Sequence, residues 1–190
     1  QAEEAVAFYT AIFKHSKILE IARYTESGHE FHGKRAGSVM TIIFELNGQT
    51  FTALNGGPVF TFNEAVSFQV SCENQQEVDE YWQQLSEGGD ERAQQCGWLK
   101  DKYGVSWQIV PAMLPPLLTH CGQETAQRVM NALLNMKKID IAAIEAALPE
   151  EVHRTRIRNG GRQSRSEPGA RARGPLPVDL AAGPALPDGI

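Results

Sequence analysis

Two stretches of this chain repeat the same order of elements, and that repetition limits the fold more than any other feature. A displacement of 72 residues brings Val6 onto Val78, Tyr9 onto Tyr81 and Phe13 onto Leu85. A displacement of 56 brings Gly48 onto Gly104, Phe51 onto Trp107 and Leu54 onto Val110. Each stretch reads as an amphipathic helix followed by three strands. Matching order at fixed displacement points to a duplicated unit rather than to chance similarity between two helices.

In the first set, residues 2–14 place Ala5, Phe8, Tyr9, Ile12 and Phe13 at helical spacing, with Glu3 and Glu4 in the first turn, where the helix dipole favours them. Residues 17–24 and 38–46 read as strands, and Asn47-Gly48 is a two-residue hairpin signal that returns the chain through Gln49 to Leu54. A Gly-, Pro- and Phe-rich loop follows. In the second set, residues 66–71 alternate strictly and predict a strand. A helix over 75–87 follows, with Asn74 as its N-cap and Gly88-Gly89 at its end. Strands are predicted around 92–100 and 105–110, the last stopped by Pro111. The second set has a strand before its helix, so the repeat predicts one for the first set too, upstream of Gln1.

Residues 112–148 are predicted helical, with Met130, Met136 and the leucines as core. From Pro149 the composition shifts to Arg, Gly, Pro, Ser and Ala, and residues 149–190 are predicted to be a disordered tail, too poor in apolar surface to offset the entropy of ordering. The tail carries seven arginines against five acids, so the rest of the chain bears about −7 of the total of −5.

With an acidic body, bulk electrostatics point to no nucleic-acid partner. No apolar run approaches the roughly 20 residues of a membrane span, so no membrane partner is expected. Cys72, Cys96 and Cys121 are odd in number, widely spaced and without a CxxC, which fits a reducing, cytoplasmic setting better than a disulfide scaffold.

Several segments together carry a family resemblance: AEEAVAFYTAIF, LNGQTFTALNGGP, AVSFQV, VDEYWQQLSEGG, CGWLKDKYGVSWQIVP and VMNALLNMKKIDIAAIEAA. They resemble the PhnB-like branch of the glyoxalase/bleomycin-resistance/dioxygenase superfamily, the vicinal oxygen chelate fold, over about residues 1–148. The resemblance implies an α+β fold of two βαβββ modules, the first over 1–63 and lacking its opening strand, the second over 64–111, followed by the helices of 112–148. It also implies a homodimer. Some members carry the name 3-demethylubiquinone-9 3-methyltransferase. A methyl donor is typically held by a glycine-rich loop in a doubly wound sheet, and this chain has neither that motif nor that element order.

Metal-using members of the superfamily hold a divalent ion with His or Glu on the first strand of a module and with Glu four residues after a turn glycine. The matching positions here are Gln108 after Gly104, Thr52 after Gly48, and Ser67 on the strand opening the second module; the fourth would lie on the absent strand. Alternation puts Ser67, Gln69 and Ser71 on one side of their strand and Ser106 with Gln108 on one side of theirs. The predicted concave surface of Thr52, Ser67, Gln69, Ser106 and Gln108 is polar and uncharged. Such oxygens make a poor site for zinc, iron or nickel, so no metal ligand and no cofactor is assigned. They suit a small polar or aromatic ligand better. Asn55 would shape the mouth of that cavity or cap its strand, and Trp98 would stack on the ligand or pack between subunits.

Other conspicuous residues read as structural. Trp107 is expected in the core. Cys96 lacks a local His partner and reads as a buried, inert thiol. Asp101, between Lys100 and Lys102, reads as a solvated turn. His29 and His32 fall in a flexible loop over the cavity. The leading function is therefore small-molecule binding without an assigned activity. A metal-dependent lyase, isomerase or dioxygenase is the first alternative, and the methyl transfer of the family name is the second.

Overall fold

A computed structural model of the chain describes residues 1–152. The tail reading falls on residues of which all but 149–152 lie outside that range. After a break at residues 147–149, residues 150–152 are again helical, and Val152 packs on the core formed by the C-terminal helices.

The architecture is mixed α+β with two three-stranded sheets. The first half contains α1 (Ala2–Ile12), β1 (Lys17–Arg23), the single turn α2 (His29–His32), β2 (Val39–Leu46) and β3 (Gln49–Leu54). β2 pairs antiparallel with both β1 and β3, giving the order β1-β2-β3. Asn47 and Gly48 both adopt positive φ, 48° and 81°, as a tight two-residue hairpin requires.

The second half contains β4 (Phe68–Cys72), α3 (Gln75–Ser86), β5 (Trp98–Lys100) and β6 (Ser106–Pro111) in the order β4-β6-β5. β4 runs parallel to β6, and β5 antiparallel to it. Asn74 caps α3 as predicted, its side chain accepting from the Glu77 N–H at 3.0 Å. The second half departs from the sequence reading of three strands after the helix. Residues 91–93 form a 3₁₀ turn, and only an isolated Gln95–Trp98 bridge precedes β5. The cause is local. Cys96 and Gly97 take φ of 52° and 86°, and their N–H groups donate to Met136 and Lys137 carbonyls, both at 2.8 Å, instead of joining a ladder.

The helix residues that the repeat aligns share one core. Val6 and Val78 are both fully buried, as is Leu85, and Phe13 is nearly so. α1 and α3 place these residues with Ile42, Phe44, Leu99, Trp107 and Ile109 in one core cluster. Trp107 sits at its centre, 5.6 Å from the Tyr9 ring and 5.3 Å from the Phe13 ring. Helices α4 (Leu114–Thr119), α5 (Gln123–Leu133) and α6 (Ile141–Ala146) form a second cluster with Val110, Val129, Leu133, Ile139 and Ile144. No helix among the described residues is long and apolar enough to cross a membrane.

Candidate functional site

The register of the second sheet brings five of the seven candidate residues onto one face. Gln69 lies opposite Gln108, and Gln108 lies opposite Trp98, so the three form a row across β4, β6 and β5. One step along, Lys100 lies opposite Ser106. The Gln108 side-chain amide donates to the Ser67 hydroxyl at 2.8 Å, which confirms that these two point the same way. Phe68, Trp107 and Ile109 take the opposite face: Trp107 and Ile109 are in the core, and the Phe68 ring lies 5.4 Å from the Trp107 ring. The Ser106 hydroxyl is buried and has no hydrogen-bond partner, the only such side-chain atom among the described residues. Lys100 beside it is ion-paired with Glu64 from the loop before β4, and this pairing lowers the Glu64 carboxyl below its usual range.

Thr52 and Asn55 lie apart from that row, on the first sheet. Thr52 is exposed on β3. Asn55 acts as a clasp on the start of α1. Its side-chain oxygen accepts from the Ala2 N–H at 3.0 Å, and its amide donates to Glu3 at 2.8 Å and to the Val39 carbonyl at 3.1 Å. The hydrogen bond from Asn55 is the main reason the Glu3 carboxyl is held below the ordinary carboxylate range. Both residues line a half-open groove of about 1100 Å³ between the first sheet, the start of α1 and the residues just before β6. Phe44, Phe51, Phe68 and Tyr103 give that groove an aromatic wall, and Lys34 and Lys100 reach it as cations.

Asp101 corrects the sequence reading. It is 3% exposed, not solvated. Its carboxylate accepts from the Tyr9 hydroxyl at 2.7 Å, the Trp107 indole N–H at 2.8 Å, and the N–H groups of Tyr103 and Val105 at 2.8 and 3.0 Å. Tyr9 is correspondingly shifted well above the ordinary phenol range, by burial first and by the Asp101 charge second. Two signals for this role stand in the sequence. An Asp three residues before a turn Gly can accept from the turn's own N–H groups, and a buried Tyr or Trp needs a partner for its polar end.

The remaining candidates have structural surroundings. Cys72 is fully buried, and burial pushes its thiol up to about 12, with Glu77 and Glu73 adding to the shift. Cys96 is half-buried against the C-terminal core. His29 and His32 form part of α2 rather than an irregular loop, and the His32 ring lies 4.5 Å from the Tyr24 ring.

The positions at which relatives hold a divalent metal do not fit one here. Thr52, Ser67 and Gln108 offer only neutral oxygens, and a metal site needs charged or imidazole donors converging on one point. No group of three or more His, Cys, Asp or Glu side chains converges elsewhere among the described residues.

A family model described as 3-demethylubiquinone-9 3-methyltransferase matches residues 1–110, so α4 to α6 lie beyond the match. Among solved structures, the chain is similar to a putative 3-demethylubiquinone-9 3-methyltransferase, PhnB protein, from Bacillus cereus. The two are 39% identical over 58% of this chain and 91% of that one, with a TM-score of 0.49. A protein from Staphylococcus aureus is 29% identical over 59% of this chain and 87% of that one, with a TM-score of 0.23. No curated protein matches. A family model that matches more than half of the chain makes this chain a member of the 3-demethylubiquinone-9 3-methyltransferase family.

Proposed function

We propose that the protein binds a small, uncharged polar or aromatic molecule on the polar face of β4, β6 and β5, and does so as a homodimer. The observation that supports this most is the buried Ser106 hydroxyl without a partner, set in the same face as the Ser67–Gln108 pair. An orphaned buried hydroxyl costs about 1–3 kcal/mol unless a ligand or water satisfies it. Gln69 and Gln108 offer amide donors and acceptors in adjacent register, and Trp98 beside Gln108 offers an aromatic face. A hydroxylated ring, the kind of molecule the family description names, has the polar edge and flat faces such a row would hold.

Catechol is the simplest probe. Titrated into ¹⁵N-labelled protein, it is expected to shift the side-chain amide signals of Gln69 and Gln108. Unmoved signals at millimolar catechol would overturn the site. Calorimetric titration with S-adenosylmethionine tests the literal family name, and no heat at millimolar ligand would separate this chain from methyl transfer. Sedimentation equilibrium tests the dimer.

A further inference from the structure

The polar face of the second sheet carries a single charge. Of Ser67, Gln69, Ser106, Gln108, Trp98 and Lys100, Lys100 alone is ionised. The ladder fixes its position. Lys100 lies opposite Ser106, and opposite residues of an antiparallel pair project to the same side with Cβ atoms about 4.5–5.5 Å apart. Asp101, next in the chain, leaves that charge uncompensated on this face, because its carboxylate turns to Tyr9 and Trp107 in the core. Asp90 is held mainly by Arg92, at 3.0 Å, and only weakly by the Lys100 charge.

Glu64 supplies the counter-ion. It reaches the Lys100 ammonium from residues 55–67, which form neither helix nor strand. The Glu64 side chain is 58% exposed and that of Lys100 only 24%. The cation is therefore sheltered and seated on a strand, whereas its partner comes from the solvent side. Ion pairs with an exposed member hold weakly, so another anion can take the place of Glu64.

The hydrogen-bonding groups point the same way. The Ser67 hydroxyl accepts from the Gln108 amide at 2.8 Å, which leaves its O–H to donate. The Ser106 hydroxyl belongs to a residue 3% exposed and has no partner. The Lys100 ammonium brings three N–H donors and no acceptor. A donor hydroxyl beside a cation favours an oxyanion over a neutral hydroxyl.

We propose that Lys100 and Ser106 form an oxyanion pocket, where a ligand hydroxyl that is neutral in water is bound as its anion, its proton released to solvent and Glu64 displaced from Lys100. This rests on the reading of the face as the ligand site. It narrows the ligand to molecules with an acidic hydroxyl, a phenol or an enol, and makes Lys100 the residue that selects them.

4-Nitrophenol is the probe, because its anion is yellow and its neutral form is not. Absorbance titration with excess full-length protein is expected to place ionisation of the bound phenol about one pH unit or more below that of the free phenol, a tenfold preference for the anion. Lys100→Met is expected to erase that shift. Glu64→Gln, at an exposed site, removes the competing carboxylate and is expected to tighten phenolate binding about threefold or more. It keeps the test open should Lys100→Met fail to fold, and unchanged binding would overturn the proposal. Lys34→Met is the control, since loss of the shift there would assign the anion to another cation and overturn it. Catechol and the Gln69 and Gln108 amide signals separate this pocket from the site itself. Signals that move with catechol, while nitrophenol ionises as in water or fails to bind, would overturn the pocket alone. Unmoved signals would overturn the site and the pocket with it.

Discussion

The Tyr9 hydroxyl donates to the Asp101 carboxylate at 2.7 Å, joining the first helix of one half to the last turn of the other. The same carboxylate oxygen accepts from the Trp107 indole at 2.8 Å. Its partner oxygen holds the Tyr103 and Val105 N–H groups and so sets the turn into β6. One buried carboxylate therefore fixes both the local turn and the contact between the halves. Asp101→Ala would leave four donors without an acceptor in a site closed to water. It is expected to lower stability by roughly 3–5 kcal/mol, in the range for breaking a buried charged network. Tyr9→Phe removes one donor and should cost about 1.5–3 kcal/mol. Urea unfolding of both variants and the double mutant measures this. Additive losses would show that the pair does not act as a unit.

Alkali should weaken the fold through two groups with the same sign. The folded Tyr9 phenol lies above its ordinary 10.0 because burial and the Asp101 charge disfavour the phenolate. The folded Cys72 thiol is pushed from 9.0 up to about 12 by burial. Both pKa values are raised, so the unfolded chain loses these protons first as pH rises. Their contribution is fully present below about pH 9 and is lost across pH 9–12 for Cys72 and above pH 10 for Tyr9. Each proton so released makes stability fall by about 1.4 kcal/mol per pH unit. Melting temperatures across pH 8–11 should fall less steeply for Tyr9→Phe and Cys72→Ala, each compared with its own value at pH 8. Parallel curves would contradict the assignment.

What the sequence reveals here, and what it conceals, follows from the range of the interactions. The hairpin at Asn47-Gly48, the burial of Trp107 and the shared facing of Ser67 and Gln108 are set by turn chemistry and alternation over a few residues, so they can be read directly. For Asp101 the sequence signals only the local half, its bonds to the turn N–H groups of Tyr103 and Val105; its burial depends on Tyr9, 92 residues away. The lost strand near Gln95 has the same explanation. Cys96 and Gly97 give up ladder bonds for carbonyls of Met136 and Lys137, partners that no local pattern announces. Analogy of position assigns Thr52 to one concave surface with Ser67, Gln69, Ser106 and Gln108, and Asn55 to its mouth. β3 carries Thr52 in the first sheet, and the groove that Thr52 and Asn55 line draws residues from both halves.

Two glycines in the second half separate steric cost from backbone cost. A Cβ on Gly89 would stand 2.1 Å from the Lys100 carbonyl oxygen, an oxygen that also accepts the Asp90 N–H at 3.2 Å. Gly89→Ala must push β5 away from the end of α3, and a loss of about 2–4 kcal/mol is expected. Gly104 has φ of 86° but open space around its Cβ position. Gly104→Ala should therefore cost only the left-handed penalty of about 1–2 kcal/mol. Equal losses in denaturant unfolding would show that strain at the Asp101 turn costs as much as the clash at Gly89.

Gln75 ties the C-terminal helices to the family fold, and its removal should loosen them selectively. Its side-chain oxygen accepts from the Ile141 N–H at 2.8 Å, and its amide donates to the Ile139 carbonyl at 3.2 Å and to Asp79 at 2.9 Å. Lys138 adds an ion pair to Asp79 at 2.6 Å, which with the Gln75 hydrogen bond lowers the Asp79 carboxyl below its usual range. These contacts join α3, inside the family match, to the segment leading into α6, outside it. Gln75→Ala deletes both backbone bonds at once and leaves the buried Ile139, the Lys138–Asp79 ion pair and the Cys96 and Gly97 N–H bonds to Met136 and Lys137 as the remaining ties. The loss should be about 1–3 kcal/mol, concentrated in residues 139–148. Hydrogen exchange is the decisive measurement, since α6 amides should exchange faster while β2 and β6 amides keep their protection. Uniform acceleration across both sheets would show that the C-terminal helices and the sheets unfold as one cooperative unit.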